Sequence, residues 1–303
     1  MDLFVPTLSQ GLLWSILALG VYLTFRVLDI ADLTVEGSFP LGAAVAARLI
    51  DGGSAPLFAI FAACLAGMCA GAVTGWLTTK LKIPALLAGI LTMIALYSVN
   101  LRVMGKANLS LLRRDTIFTG FSGLFADRQL AVLLVGCVAV LLLSLLFYWF
   151  FGTEIGAAIR ATGFNPHMIR ANGVNTDVTV ILGLLLSNGL VAISGALVAQ
   201  SNGFADVGMG VGTIVIGLAS VIIGEVLFGT DGFLKLLFGA NGFLICLISV
   251  ILGSVVYRAV IALVLEMGMP PNDLKLFTAA LVALALSLPL IQSKIRGMKR
   301  GVH

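Results

Sequence analysis

Apolar runs of about 17–25 residues recur along the whole sequence, and a helix of that length crosses a hydrocarbon core of roughly 30 Å. None shows the two-residue alternation of an outer-membrane barrel strand. The chain therefore reads as an all-α, polytopic membrane protein. Composition agrees, because 60% of the 303 residues are hydrophobic and 11% charged, whereas soluble domains carry roughly 25% charged residues. Spans are expected near 8–27, 36–50, 56–79, 84–104, 130–151, 177–199, 209–228, 240–264 and 275–292. That is about nine helices (8–10) in one transmembrane domain, 1–303.

The opening stretch MDLFVPTLSQGLLWSILALGVYLTF has no basic residue before Arg26. It lacks the charged region of a cleaved signal peptide and reads as a retained first helix. Arg26 favours an external N-terminus and an internal 27–35 segment. An odd span count then puts Lys294, Arg296, Lys299 and Arg300 inside, where a basic tail belongs. This tail supplies most of the formal +4 charge, so the charge reads as topology and not as a nucleic-acid surface. The loop 105–129 opposes the threading, since it falls outside yet carries Lys106, Arg113, Arg114 and Arg128 against Asp115 and Asp127. The short span 36–50 is its weakest point. Cys64, Cys69, Cys137 and Cys246 lie in apolar runs and lack metal or disulfide spacing, so they read as small apolar residues.

An internal similarity links IADLTVEGSFPLGAAVA, around residue 32, with FADVGMGVGTIVIGLAS, around residue 206. Ala31, Asp32 and Leu33 match Ala205, Asp206 and Val207; after one inserted residue, Gly37, Ser38, Gly42 and Ala44 match Gly212, Thr213, Gly217 and Ala219. SQGL at 9–12 precedes the first copy as SNGL at 187–190 precedes the second. Five spans lie between them, so the copies, about 8–104 and 177–292, are expected to insert upside down relative to each other. Inverted repeats with Gly-interrupted segments are a transporter architecture.

Asp32 and Glu36 stand at the start of an apolar run that also contains Pro40. Acids are tolerated there if the helix begins part-way into the protein, because the free N–H groups of a first turn attract carboxylates. Asp32 or Thr34 is expected to cap that helix, with Asp206 in the equivalent place. Gly67, Gly71 and Gly75 make a small-residue face at a four-residue period, for packing within the bundle or between subunits.

The polar segment 152–176 reads as two short capped helices. Thr153 caps a helix 154–161 with Glu154 in its first turn, Arg160 in its last and Gly163 as its stop. Asn165 caps a second helix with Pro166 at its first position and Gly173 at its left-handed end. Met168, Ile169 and Val174 need a surface to bury against, and His167 and Arg170 can pair with acids. The segment looks like a docking element.

GAAIRATGFNPHMIRANGVNT followed by SNGLVAISGALVAQ resembles the coupling region of ABC-importer permeases of the branched-chain amino acid and ribose type. GVYLTFRVLDIADLTVEGSFPLGAAVAA resembles the tryptophan/tyrosine-type subgroup, and the likeness covers essentially the whole chain. The resemblance implies a bacterial inner-membrane permease that pairs with a second permease copy, an ATP-binding cassette subunit holding ATP and Mg, and a lipoprotein receptor. The coupling helix it implies is about Pro166–Asn172, supported by Glu154, Arg160 and Gly163.

Absences fit this resemblance. The chain has no phosphate-binding G-x-x-x-x-G-K-[ST] loop, and its two histidines, His167 and His303, lie outside any nucleophile constellation. On this reading the chain is not an enzyme and needs no cofactor or metal of its own. Asp32, Glu36, Ser38, Phe39, Asn188, Asp206, Met209 and Thr213 are the expected pathway residues, and Arg113 and Arg114 the expected receptor contacts. The competing class is an ion-coupled secondary transporter in which Asp32, Glu36, Asp206 and Glu225 hold the ion; a structural subunit without transport activity is a third.

Overall fold

The computed structural model describes residues 4–122, 128–228, 242–268, 273, 276–280, 282–284 and 287. Half of the span expected at 275–292 lies outside them, and the basic C-terminal cluster wholly so. The long helices are α1 (Phe4–Tyr22, continued by a wider π turn Leu23–Val27), α2 (Val35–Asp51), α3 (Pro56–Thr79) and α4 (Ala85–Met104). A short strand β1 (Asn108–Ser110) and helix α5 (Ile117–Ser122) precede α6 (Arg128–Gly152). Two short helices follow, α7 (Glu154–Phe164) and α8 (Pro166–Ala171), then α9 (Thr176–Asn202) and β2 (Phe204–Asp206). A 3₁₀ turn Val207–Gly210 leads into α10 (Thr213–Phe228), and α11 (Gly242–Glu266) closes the described bundle.

Among the described residues seven helical segments are long and apolar enough to cross a membrane. The expected span 36–50 is not one of them. Its helix, α2, has 17 residues, about 25 Å at 1.5 Å per residue. It is a partial span, whose N-terminal end starts inside the protein.

Contacts fix which helix ends lie together. Gln10 meets Asn202, β1 pairs antiparallel with β2, and Arg114 bonds Asp51 at the C-terminal end of α2. These mark one end of the bundle, the loop end. At the other, Val27 meets Gly163 of α7, Lys80 pairs with Asp177, and Arg26 bonds Glu225 near the end of α10 at 2.8 Å. The segment 153–175 sits here, at what we call the knob end. Thus α2 runs towards the loop end, whereas α10 runs towards the knob end.

The core is a crossing of α1 and α9, both buried over most of their length. Ser187 donates to the carbonyl of Gly20 and Ser194 to that of Leu13, each at 2.8 Å. Each short helix packs on one of this pair. Gly42 of α2 lies against the backbone of Ala192 in α9, and Gly217 of α10 lies against Leu17 and Val21 in α1. The two glycines are the ones that the internal similarity pairs, and each packs on the long helix belonging to the other half.

The stripe Gly67, Gly71 and Gly75 faces α9, meeting Asn188 and Ala192, then Leu184, then Ile181. In a membrane, association depends on backbones approaching this closely, since lipid is as apolar as the side chains. Within the chain this stripe is an internal seam and not a free subunit face.

Candidate translocation and coupling sites

The buried N-terminal end of α2 is held by a fully bonded polar knot. Asp32, 3% exposed, accepts the backbone N–H of Thr34 at 2.9 Å through Oδ1 and the Asn188 amide at 2.7 Å through Oδ2. Asn188 donates also to the carbonyl of Leu184 at 3.0 Å and accepts the Ser38 hydroxyl at 2.7 Å. A hydroxyl chain continues the knot sideways, from Thr34 to Thr74 at 2.8 Å and from Thr74 to Thr92 at 2.9 Å. It ties α2 to α3, α4 and α9. Of the two expected caps, Asp32 performs the role; Thr34 makes no capping bond through its side chain and spends its hydroxyl on Thr74. Asp206 makes the same local bond, accepting the N–H of Gly208 at 2.7 Å, and takes Asn108 at 3.2 Å as its side-chain partner.

Glu36 does something different. Its carboxylate leaves its own helix and accepts the N–H of Gly212, the residue before α10, at 3.0 Å. One acid therefore stands at the positive ends of two opposed helices, where the free N–H groups of both favour negative charge. Pro40 contributes to the close fit: it cannot donate to the carbonyl of Glu36, and Gly210 packs against that carbonyl and the proline ring. This junction joins the two Gly-interrupted segments inside the bundle.

The expected pathway residues divide accordingly. Asp32, Ser38, Phe39, Asn188 and Thr213 are all buried, and the Phe39 ring lies 5.1 Å from that of Trp14. In this conformation they hold helices together and present no surface to a solute. Glu36 and Met209 are half-buried at the junction. Asp206 lies at the loop end beside β1, away from the Asp32 knot.

At the knob end both predicted caps are present. Thr153 accepts the N–H of Gly156 at 3.3 Å, Asn165 accepts that of Met168 at 3.1 Å, Pro166 opens α8, and Gly173 has φ +83°. Three expectations need correction. The first helix runs on to Phe164, so Gly163 is not its stop and Arg160 is not in its last turn. Gly163 is instead a seat, where any Cβ would overlap the carbonyl of Val27 at the end of α1. Arg160 lies over the Phe243 ring at 5.3 Å, which ties the knob to α11. Glu154 stands exposed in the first turn of α7.

Arg170 bonds Thr176, lies 3.9 Å from Asp177 and stays exposed. Of the apolar residues, Ile169 is buried and Val174 half-buried, but Met168 remains 48% exposed. Phe164, which the sequence reading passed over, is 91% exposed. The signal for it was weak, a lone aromatic just before an Asn-Pro helix start. His167 is exposed beside them.

The loop end carries the two arginines expected to meet a receptor. Arg114 is engaged with Asp51 at 2.9 Å, and Arg113 is exposed with φ +73°. Only Arg113 has its charge available among the described contacts of this pair. No group of three or more His, Cys, Asp or Glu residues suited to a metal occurs among the described residues.

Discontinuous helices that meet inside a bundle are a recurrent feature of transporters. The chain belongs to the family described as the permease component of the branched-chain amino acid transport system, whose model matches residues 3–286. It is similar to the tyrosine transport system permease protein of Clostridioides difficile (strain R20291), 39% identical over 278 residues, 92% of this chain and 88% of the relative. An uncharacterized protein of Rickettsia prowazekii (strain Madrid E) is 36% identical over 292 residues, 95% of this chain and 98% of that relative. The autoinducer 2 import system permease protein of Salmonella typhimurium is 26% identical over 226 residues, 74% of this chain and 63% of that relative. No solved structure matches the chain. It is a permease component of an ABC-type transport system and a multi-pass membrane protein, located in bacteria in the inner membrane.

Proposed function

We propose that the chain is the membrane subunit of an ATP-driven importer of an aromatic amino acid. In this reading it acts as a homodimer with a lipoprotein receptor at the loop end and a separate ATPase, carrying ATP and Mg, at the knob end. The knob end then faces the cytosol. The observation that carries the reading is the knob itself, two capped helices holding Phe164, Met168 and His167 in water at the far end from the receptor-facing loop. Exposed aromatic and thioether groups placed close together on a rigid element suit a partner's pocket. The tyrosine transport relative supports the cargo class.

Motion follows from what the knob touches. Gly163 is seated on the end of α1, and Thr162 shares a 2.8 Å hydrogen bond with Thr179 of α9. A pull on the knob therefore acts on both crossing helices, and each packs against one of the two Gly-interrupted helices, α2 or α10. Alternating access is a rocking of these halves, and the joint that parts is the bond between Glu36 and Gly212. Each oxygen of Asp32 and of Asp206 accepts a hydrogen bond from a backbone N–H or an asparagine amide, which favours a coupling reading over an ion-coupled carrier.

The test is uptake of radiolabelled tyrosine into proteoliposomes holding the permease, its ATPase and its receptor. Uptake is expected to stop when the ATPase loses its catalytic carboxylate. A Phe164→Ser, Met168→Ser double variant is expected to fold normally and to lose at least tenfold in receptor-stimulated ATP hydrolysis. Uptake by the permease alone under a proton or sodium gradient would reverse the reading.

A further inference from the structure

Among the described residues, Arg258 is a half-buried cation without a counter-charge. It lies on α11 eight residues before Glu266, about 12 Å of helix from that end. Its guanidinium stacks over the Trp14 ring of α1 with 4.2 Å between the carbon and the ring centroid. Among the described residues its buried Nε has no hydrogen-bond partner and no ion pair includes it. A ring face orients and attracts a cation, yet it supplies no hydrogen-bond acceptor in the plane of the guanidinium. Charged groups at membrane depth are costly and cluster on substrate paths.

Its neighbours place it on the interior side of the bundle. Trp14 is 9% exposed, and its ring also contacts Phe39 of α2, so it is the floor between α2 and α11. Gly217 of α10 packs on Leu17 and Val21, which sets the first turn of α10 beside the turn of α1 that carries Trp14. Ser254 of α11 donates to the carbonyl of Gly11, and Arg258 follows one turn nearer the loop end, on the loop-end side of the Glu36–Gly212 junction, where a solute from the receptor arrives first. Arginine is the residue that receives a carboxylate with two parallel N–H···O bonds.

We propose that Arg258, presented by Trp14, is a transient binding site for the carboxylate of the transported amino acid on the loop-end side of the junction. This rests on the amino-acid reading given above. Passage of an anion neutralises the arginine only while cargo is present, which suits a station that must also release.

The test uses the complete transporter in proteoliposomes, measuring tyrosine uptake per ATP hydrolysed. Wild-type uptake of tyrosine establishes the amino-acid reading independently. R258Q is expected to lower the ratio at least tenfold, with receptor-stimulated hydrolysis unchanged. R258K keeps the charge and loses the fork, and is expected to lower it about threefold to tenfold; it serves where R258Q fails to assemble. Wild-type stoichiometry in assembled R258K overturns the proposal. So does an uptake that needs phosphatidylglycerol only when Arg258 is present, which assigns the site to a lipid phosphate. Loss of the permease dimer in R258K, seen by light scattering, assigns it to a subunit contact and overturns it equally.

Discussion

Replacing Asn188 by leucine is expected to remove most of the folded protein. The amide is the centre of the knot that seats the buried start of α2, donating to Asp32 and accepting from Ser38. Leucine fills the space but leaves one oxygen of Asp32 and the Ser38 hydroxyl without that partner, in a place where Asp32 is 3% exposed. An unmet buried group of this kind costs about 1–3 kcal/mol, more when it is charged. Two such groups together cost about 2–6 kcal/mol, more with the charge of Asp32, which is a large share of the roughly 5–15 kcal/mol that holds a fold together. Asp32→Asn should be much milder, because Asn188 can turn its amide to meet it while Ser38 reverses its hydroxyl. The check is the monodisperse fraction in detergent after a heating series, with N188L expected at background and D32N close to wild type.

The second large effect is expected where α2 crosses α9. Gly42 abuts the backbone of Ala192, and Gly195 abuts the backbone of Phe39. Each glycine faces the main chain of the opposite helix, so a methyl group at either has no flexible side chain to displace. Overpacking costs typically about 1–3 kcal/mol, and more when a backbone must move. Gly42→Val and Gly195→Val should each separate α2 from α9, breaking the Asn188 knot a turn away. Both variants are expected to yield little or no protein in membranes. By contrast, Gly120→Ala, which meets open space, should match wild type by fluorescence-detected gel filtration.

Membrane class, helix positions and knob caps were legible in the sequence because each depends on local composition. Apolar length marks spans, and Thr153, Asn165, Pro166 and Gly173 each act within a few residues of themselves. What Glu36 does was not legible, since its partner Gly212 lies 176 positions away. The same holds for Gly163, read as a helix stop because Gly commonly is one, when the end of α1 explains it. Arg258 and Trp14 escaped notice for a related reason: one arginine in an apolar run says nothing until the helix facing it is known.

Charge gave an ambiguous topology for a physical reason too. Arg26, Lys80, Lys82, Arg160 and Arg170 belong to the knob end, and Arg48, Arg102, Lys106, Arg113, Arg114 and Arg128 to the loop end. These sets nearly balance, so the positive-inside bias rests on the C-terminal cluster.

The most direct measurement is therefore the sidedness of the knob. Single cysteines at Ala171 and at the exposed Leu112 of the loop end, in a background with the four native cysteines replaced by serine, can be labelled with an impermeant maleimide in vesicles of each orientation. The account predicts that Ala171→Cys reacts only in inside-out vesicles and Leu112→Cys only in right-side-out ones. Labelling of Ala171→Cys from the periplasmic face would contradict it, because no cytosolic ATPase could then grip the knob.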